Sequence, residues 1–272
     1  EIHRTMARYN RLFGFLLRVK HAVAEMEHLS TLSRTWDEIV ATLAKPWRRV
    51  YGRFELVMQQ TSRIQMQRHH MLQFLHSVHS YLMSGVLTTP WAALIQRCTS
   101  ANHIDDLIAA HHAYLAVLER VCLLTQEHAM LSNSLGRLID KCTSFTEHAT
   151  ALYGSLLSAC TDVSASVSEL EEAQRYLGLP TDTPVAVIPA TDETHAATLH
   201  PAVKSVLDAA LLPVERQLPA LQSLGRAFLA QVSSLVHMAQ RLHDAASTHP
   251  LTHVASLLNF NGYYTRRATS VQ

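Results

Sequence analysis

The chain has 272 residues, 48% hydrophobic and 17% charged, a balance that supports a sizeable core and excludes a disordered polymer. Its net charge is only +1 but unevenly laid out: residues 1–104 carry 13 Lys and Arg against 6 Asp and Glu, +7, and residues 105–272 carry 10 against 16, −6. No acidic residue lies between Glu55 and Asp105, which suits an acidic partner or simply reflects surface composition, while the acidic second part argues against extended contact with nucleic acid.

Leu12, Leu16, Val19, Val23 and Met26 recur at spacings of four and three, which predicts an amphipathic helix over the first ~29 residues. A second series runs Trp36, Val40, Leu43, Trp47, Val50, Phe54 and Val57, then resumes as Ile64, Met71, Leu75, Val78 and Leu82. Pro46 is expected to restart or kink it. Thr89-Pro90 signals a helix start, with Thr as cap and Pro at the first helical position. Asn102 is expected to cap the next helix, with Asp105 and Asp106 in the first turn, where the helix dipole favours them. That helix is expected to bury Ile104, Leu107, Ile108, Leu115, Leu118 and Cys122 on one face.

The longest series is Leu131, Leu135, Leu138, Cys142, Phe145, Ala149, Leu152, Leu156. It slips one step to Cys160, Val163, Val167, Leu170 and Leu177. Heptad spacing with one stutter predicts a helix roughly 70 Å long, which must lie along other helices or a partner. Residues 178–202, with Gly178, Pro180, Pro184, Pro189 and Pro201, read as a flexible surface loop. A shorter helical stretch near 203–217 follows. A last long helix then carries Leu221, Leu224, Phe228, Val232, Leu235, Ala239, Leu242 and Ala246. The tail from Leu251 packs a short apolar segment before a polar end, and no strand pattern with turn signals is apparent. The fold class read from this is all-α: stacked helical bundles with long amphipathic helices.

Cys98, Cys122, Cys142 and Cys160 form no CxxC. They suit a reduced, intracellular chain in which each acts as a small core residue. No uninterrupted apolar run reaches the ~18 residues of a membrane span. The first residue is Glu, so the chain reads as a fragment. P-loop, dinucleotide and nucleophile-elbow patterns are absent, and the eight glycines are single and scattered; no cofactor and no catalytic residue is expected. The stretch QRHHMLQFLHSVHSYLM, residues 67–83, sets His69, His70, His76 and His79 in a helical pattern. At ~100° per residue they flank the face of Met71, Leu75, Val78 and Leu82, or lie across from it. Zinc needs three or four ligands, and di-iron bundles need several Glu with two Glu-x-x-His motifs. This chain has one such motif, Glu25-Met26-Glu27-His28, and no acidic residue near His76. The histidines therefore read as the polar border of a packed face rather than a metal site. His111, between Ile108 and Leu115, reads as a core residue with a hydrogen-bond partner.

Four segments in order, RYNRLFGFLLRVKHAVAEME (8–27), RHHMLQFLHSVHSYLMSGVLTTPW (68–91), IDDLIAAHHAYLAVLERVCLL (104–124) and LLNFNGYY (257–264), resemble the C-terminal Grip domain of the gamma-tubulin complex proteins. Asn259 stands where that family usually has Asp, and His79-Ser80 where it often has Gln-Tyr. The resemblance implies that residues 1–272 are a partial C-terminal Grip domain, with its N-terminal counterpart absent. It implies a non-enzymatic scaffold that binds gamma-tubulin and so templates microtubule nucleation. The other expected partners are further complex components, met laterally through the N-terminal domain. The implied location is the cytoplasm and cytoskeleton, at a microtubule organising centre such as a centrosome, spindle pole or basal body. Exposed members of the matching segments are expected to meet gamma-tubulin: Arg11, Arg18, Arg68, His69, Gln73, Asp106, His112, Asn261 and Tyr263. Tyr81, Tyr114 and Phe260 are expected in the core. The histidines of 67–83 leave open a contact that is sensitive to pH near ~6–7. The alternative reading is a helical-rod subunit of a membrane-tethering complex, which shares stacked helices and lacks an active site.

Overall fold

The computed structural model describes residues 2–43, 52–87, 89–177, 187–188, 198–245 and 259. It is all-α. Among the described residues six helices follow in order: α1 (Ile2–Leu43), α2 (Gly52–Leu87), α3 (Thr89–Thr99), α4 (Ile104–Val121), α5 (Ala129–Tyr176) and α6 (Pro201–Ala245). A single 3-10 turn, Gln126–His128, leads into α5.

Two elements are longer than their apolar series predict. α1 continues through Trp36 to Leu43, so the first series and the opening of the second, Trp36, Val40 and Leu43, share one helix, while the second series from Phe54 on lies in α2. No Gly or Pro interrupts residues 15–43. Its hydroxyls bond back within the helix, Ser30 Oγ to the Glu27 carbonyl and Thr35 Oγ1 to the Thr31 carbonyl, rather than offering the backbone another conformation. Pro46, Trp47 and Val50 lie outside the described residues. The separate helices expected near 203–217 and from Leu221 are also one helix, α6, with Pro213 and Pro219 inside it. An internal proline removes a helix bond and costs about 3 kcal/mol. Burial of Leu211, Val214, Leu218 and Leu221 around the two prolines offsets it.

α5 spans 48 residues, about 72 Å, as the heptad series predicts. Its first eight stripe members, Leu131 to Leu156, are buried, and so is Val163. The stripe then surfaces. Val167 and Leu170 are half-buried and Leu177 is exposed. Within 178–202, expected to be a loop throughout, Val187–Ile188 pairs antiparallel with Thr198–Leu199, and α6 begins at Pro201.

The chain divides into two compact units. Unit 1 comprises Glu1–Met26, His69–Thr143 and Arg226–Gln272; unit 2 comprises Glu27–Arg68 and Ser144–Gly225. The core of unit 1 gathers Leu12, Val19, Val23 and Met26 of α1 with Met71, Phe74, Leu75, Val78 and Leu82 of α2. Leu115 and Leu118 of α4, Leu138 and Cys142 of α5, and Phe228 and Val232 of α6 complete it. Phe74 meets Phe228 edge to face, with ring centres 5.4 Å apart. The core of unit 2 holds Leu29, Trp36, Val57, Ile64, Phe145, Leu152, Tyr153, Leu207 and Leu211. Across it, Arg53 grips Glu215 through two bonds, Nε to Oε1 at 3.0 Å and Nη2 to Oε2 at 2.8 Å, and also bonds Asp208.

Candidate interaction surface

α4 carries the most informative face in unit 1. Ile104, Leu107, Ile108, Leu115, Leu118 and Cys122 share one side of it, as the spacing requires. Only the second half is covered. Leu115, Leu118 and Cys122 are buried, whereas Ile104 is 73% exposed and Leu107 and Ile108 also face solvent. This corrects the expectation that all six are buried. Periodicity fixes which residues share a face; it does not fix what covers the face.

Both ends of α4 are built firmly. Its cap is His103, one residue later than expected. Asp106, rather than Asn102, supplies the side-chain bonds: its carboxylate accepts from the backbone N–H of Asn102 at 3.2 Å and of His103 at 3.1 Å. At the other end, Leu123 N–H bonds the Arg120 carbonyl at 3.0 Å and Leu124 N–H bonds the Glu119 carbonyl at 2.8 Å. This is a Schellman closure, with Leu123 at φ 60° where glycine is usual. Tyr81 of α2 donates its hydroxyl to the Val121 carbonyl at 3.2 Å. Burial, with Cys122 beside it, pushes the Tyr81 hydroxyl up to about 12.

α1 carries a second uncovered stripe. Its core face holds Leu12, Val19 and Val23, while exposed Met6, Tyr9, Phe13 and Leu17 form a stripe on its flank, roughly 100° around the helix. Phe13 is 66% exposed and Leu17 54%. The Tyr9 hydroxyl lies 2.8 Å from His111 Nε2 of α4. His111 therefore has the partner expected of it, but it is half-buried rather than in the core. α3 adds exposed Trp91 and Ile95, and Tyr114 of α4 packs against Trp91 edge to face. Large exposed apolar side chains clustered in this way are the mark of a docking surface.

The charge asymmetry of the sequence is partly spent within each unit. In unit 1, Arg8 Nη2 donates to Glu119 Oε2 at 2.8 Å and Arg11 Nη2 to Glu119 Oε1 at 2.6 Å. Arg18 bonds Asp140 and the Gly136 carbonyl. Arg8, followed by Arg11, holds the Glu119 carboxyl below the usual carboxylate range. Four arginines of the basic part (8, 11, 18 and 53) thus face carboxylates of the acidic part.

The residues expected to meet gamma-tubulin fall in different settings. Arg11 and Arg18 are exposed at the surface but engaged in those ion pairs. His69 and Gln73 are exposed on α2 in unit 1. Arg68 belongs to unit 2 and is half-buried, with its Nε buried. Asp106 is exposed and engaged as a helix cap. His112 is half-buried beside Arg4, Arg8 and Arg11. Asn261, Tyr263 and Phe260 lie outside the described residues. Tyr81 is buried and Tyr114 half-buried. The signal missed in the sequence is the Met6, Tyr9, Phe13, Leu17 stripe, which helical spacing reveals once a second apolar face is sought.

Met71, Leu75, Val78 and Leu82 all point inward, and His76 lies outside. Among the described residues no three His, Cys, Asp or Glu side chains are placed to hold a metal ion. All four cysteines are free; Cys122 and Cys142 are buried, while Cys98 and Cys160 are half-buried, so only two sit wholly in a core. Burial raises the thiol of Cys122 to about 12 and of Cys160 to about 11, and raises Cys142 as well. Where scattered charges are allowed, one 18-residue window within Ile104–Tyr176 is apolar enough to cross a membrane. That stretch is not one helix: the chain turns at Leu123 between α4 and α5.

Fold and surface together define an all-α protein of long packed helices that presents uncovered apolar faces beside arginine-rich edges. The model of the gamma tubulin complex component C-terminal family matches residues 2–264, and the chain belongs to that family. It is 30% identical to the gamma-tubulin complex component 3 homolog of Xenopus laevis over 56% of the chain, and 28% identical to human gamma-tubulin complex component 3 over 56%. Mouse gamma-tubulin complex component 2 aligns over 97% of the chain at 22% identity. These matches span 16%, 16% and 26% of the relatives' own lengths.

Proposed function

We propose that this chain is a non-enzymatic scaffold segment that binds gamma-tubulin within a gamma-tubulin complex and helps template microtubule nucleation. The observation that carries the reading is the uncovered half of the α4 stripe, Ile104, Leu107 and Ile108, in a chain of this family. A coherent apolar face left half uncovered is a pointer to a surface that a partner covers. Long helices with closed ends hold such a surface at a fixed position, as a template requires. Further complex components are lateral partners, engaged through sequence beyond this chain, and the site of action is the cytoskeleton at a microtubule organising centre.

The test is a pull-down of purified gamma-tubulin by the 272-residue chain, beside flotation of the same chain with anionic liposomes. Gamma-tubulin capture without flotation supports the scaffold. Flotation without capture points instead to a membrane-tethering subunit.

A further inference from the structure

We propose that a cleft in unit 1 receives a run of carboxylates from an acidic segment of the partner protein, with Glu119 holding the place in its absence. This deepens the scaffold reading and rests on it. The cleft is lined by Arg4, Thr5, Arg8, Arg11, His112 and Glu119 and has a volume of about 1030 Å³.

Three observations point to carboxylates. Arg4, Arg8 and Arg11 lie at i, i+4 and i+7 of α1, a rise of about 10 Å. An extended chain advances about 3.3 Å per residue with side chains alternating between its faces, so carboxylates two and four residues apart, about 7 and 13 Å, share a face and bracket the length of that row. Next, the cleft already recognises this group: Arg8 and Arg11 each bond a different oxygen of Glu119. Finally, three guanidinium groups face one carboxylate, leaving a charge of +2. Arg4 is exposed and makes no ion pair among the described residues. Arg11, whose side chain is 56% exposed against 24% for Arg8, is the one free to exchange Glu119 for an incoming carboxylate. The volume far exceeds a single small anion, so a segment of chain fits it better than free phosphate.

The probe is fluorescein-labelled octaglutamate, titrated with the 272-residue chain at low salt and read by anisotropy. Arg4→Glu should weaken binding at least ~10-fold. Arg137→Glu, the same charge change on an exposed α5 position outside the cleft, should change it less than ~2-fold. Glu119→Gln should strengthen binding ~3-fold by removing the competitor. Circular dichroism confirms that each variant folds, and Arg4→Gln serves as a milder second variant. Equal losses in Arg4→Glu and Arg137→Glu, or no binding by wild type, overturn the cleft. So does displacement by inorganic phosphate at the concentration where acetate has no effect. Weakening by Glu119→Gln overturns the place-holder role. The two readings fail separately. Gamma-tubulin capture that is intact in Arg4→Glu sinks the cleft alone. Octaglutamate binding with the expected Arg4 dependence, but no gamma-tubulin capture, sinks the scaffold reading alone.

Discussion

Ile104 and Leu115 lie on the same face of α4, yet the fold treats them oppositely, and this difference is measurable. Leu115 is fully buried in unit 1. Leu115→Ala removes that burial and opens a cavity, which costs about 2–5 kcal/mol. Ile104 is 73% exposed, so Ile104→Ala removes little buried area and should shift stability by no more than about 0.5 kcal/mol. For a chain of this size 1 kcal/mol moves the melting temperature by about 2–4 °C. Leu115→Ala should therefore melt about 5–15 °C lower, and Ile104→Ala within about 2 °C of wild type. Thermal melts followed by circular dichroism at 222 nm decide this. A loss in Ile104→Ala that equals the loss in Leu115→Ala would mean that the chain covers the whole stripe itself, and the uncovered surface would not exist.

Three further outcomes follow from the same structure. Glu119 has its carboxyl held below its ordinary value of 4.5 by Arg8 and then Arg11; its contribution is complete above that value and lost as pH falls through the folded one. The melting difference between wild type and Glu119→Gln should be constant above about pH 5.5 and shrink below about pH 4; a gap that widens toward low pH would contradict the ion pairs. Cys122 and Cys142 are buried with raised thiol values, so at pH 8 a thiol reagent should modify them only on unfolding, and fast modification of either in the native chain would refute their burial. Pro219 is exposed inside α6; Pro219→Ala restores a helix donor with no packing lost and should stabilise by about 1–3 kcal/mol in denaturant unfolding, whereas destabilisation would show that the proline fixes a needed bend.

Much of the fold was legible because helical periodicity is a strong signal here. The heptad series of α5 gave its length within a few residues, and Met71, Leu75, Val78 and Leu82 point inward as their spacing requires. Each error has its own physical origin. Proline at 213 and 219 marks a local penalty, but tertiary burial of Leu211, Val214 and Leu218 outweighs it. Asn102 has the better capping residue type, yet Asp106 reaches back and takes the role from the third position of the helix. The basic first part suggested a free positive face, but residues distant in sequence answer it: Glu119, Asp140, Asp208 and Glu215. The resemblance to the family was legible from short motifs because their order along the chain is itself information. The interaction surface was less so, since a stripe that is half covered and a stripe that is wholly covered have the same periodicity.

The most direct measurement is the affinity of the 272-residue chain for purified gamma-tubulin before and after a charge is placed on each uncovered face. Phe13→Asp and Ile104→Asp, both at exposed positions, should leave the fold and melting temperature near wild type. If these faces meet gamma-tubulin, each should weaken binding by about 30-fold or more, the scale of an interface hot spot. Wild-type affinity in a folded Phe13→Asp, Ile104→Asp double variant would contradict the assignment of this surface to gamma-tubulin.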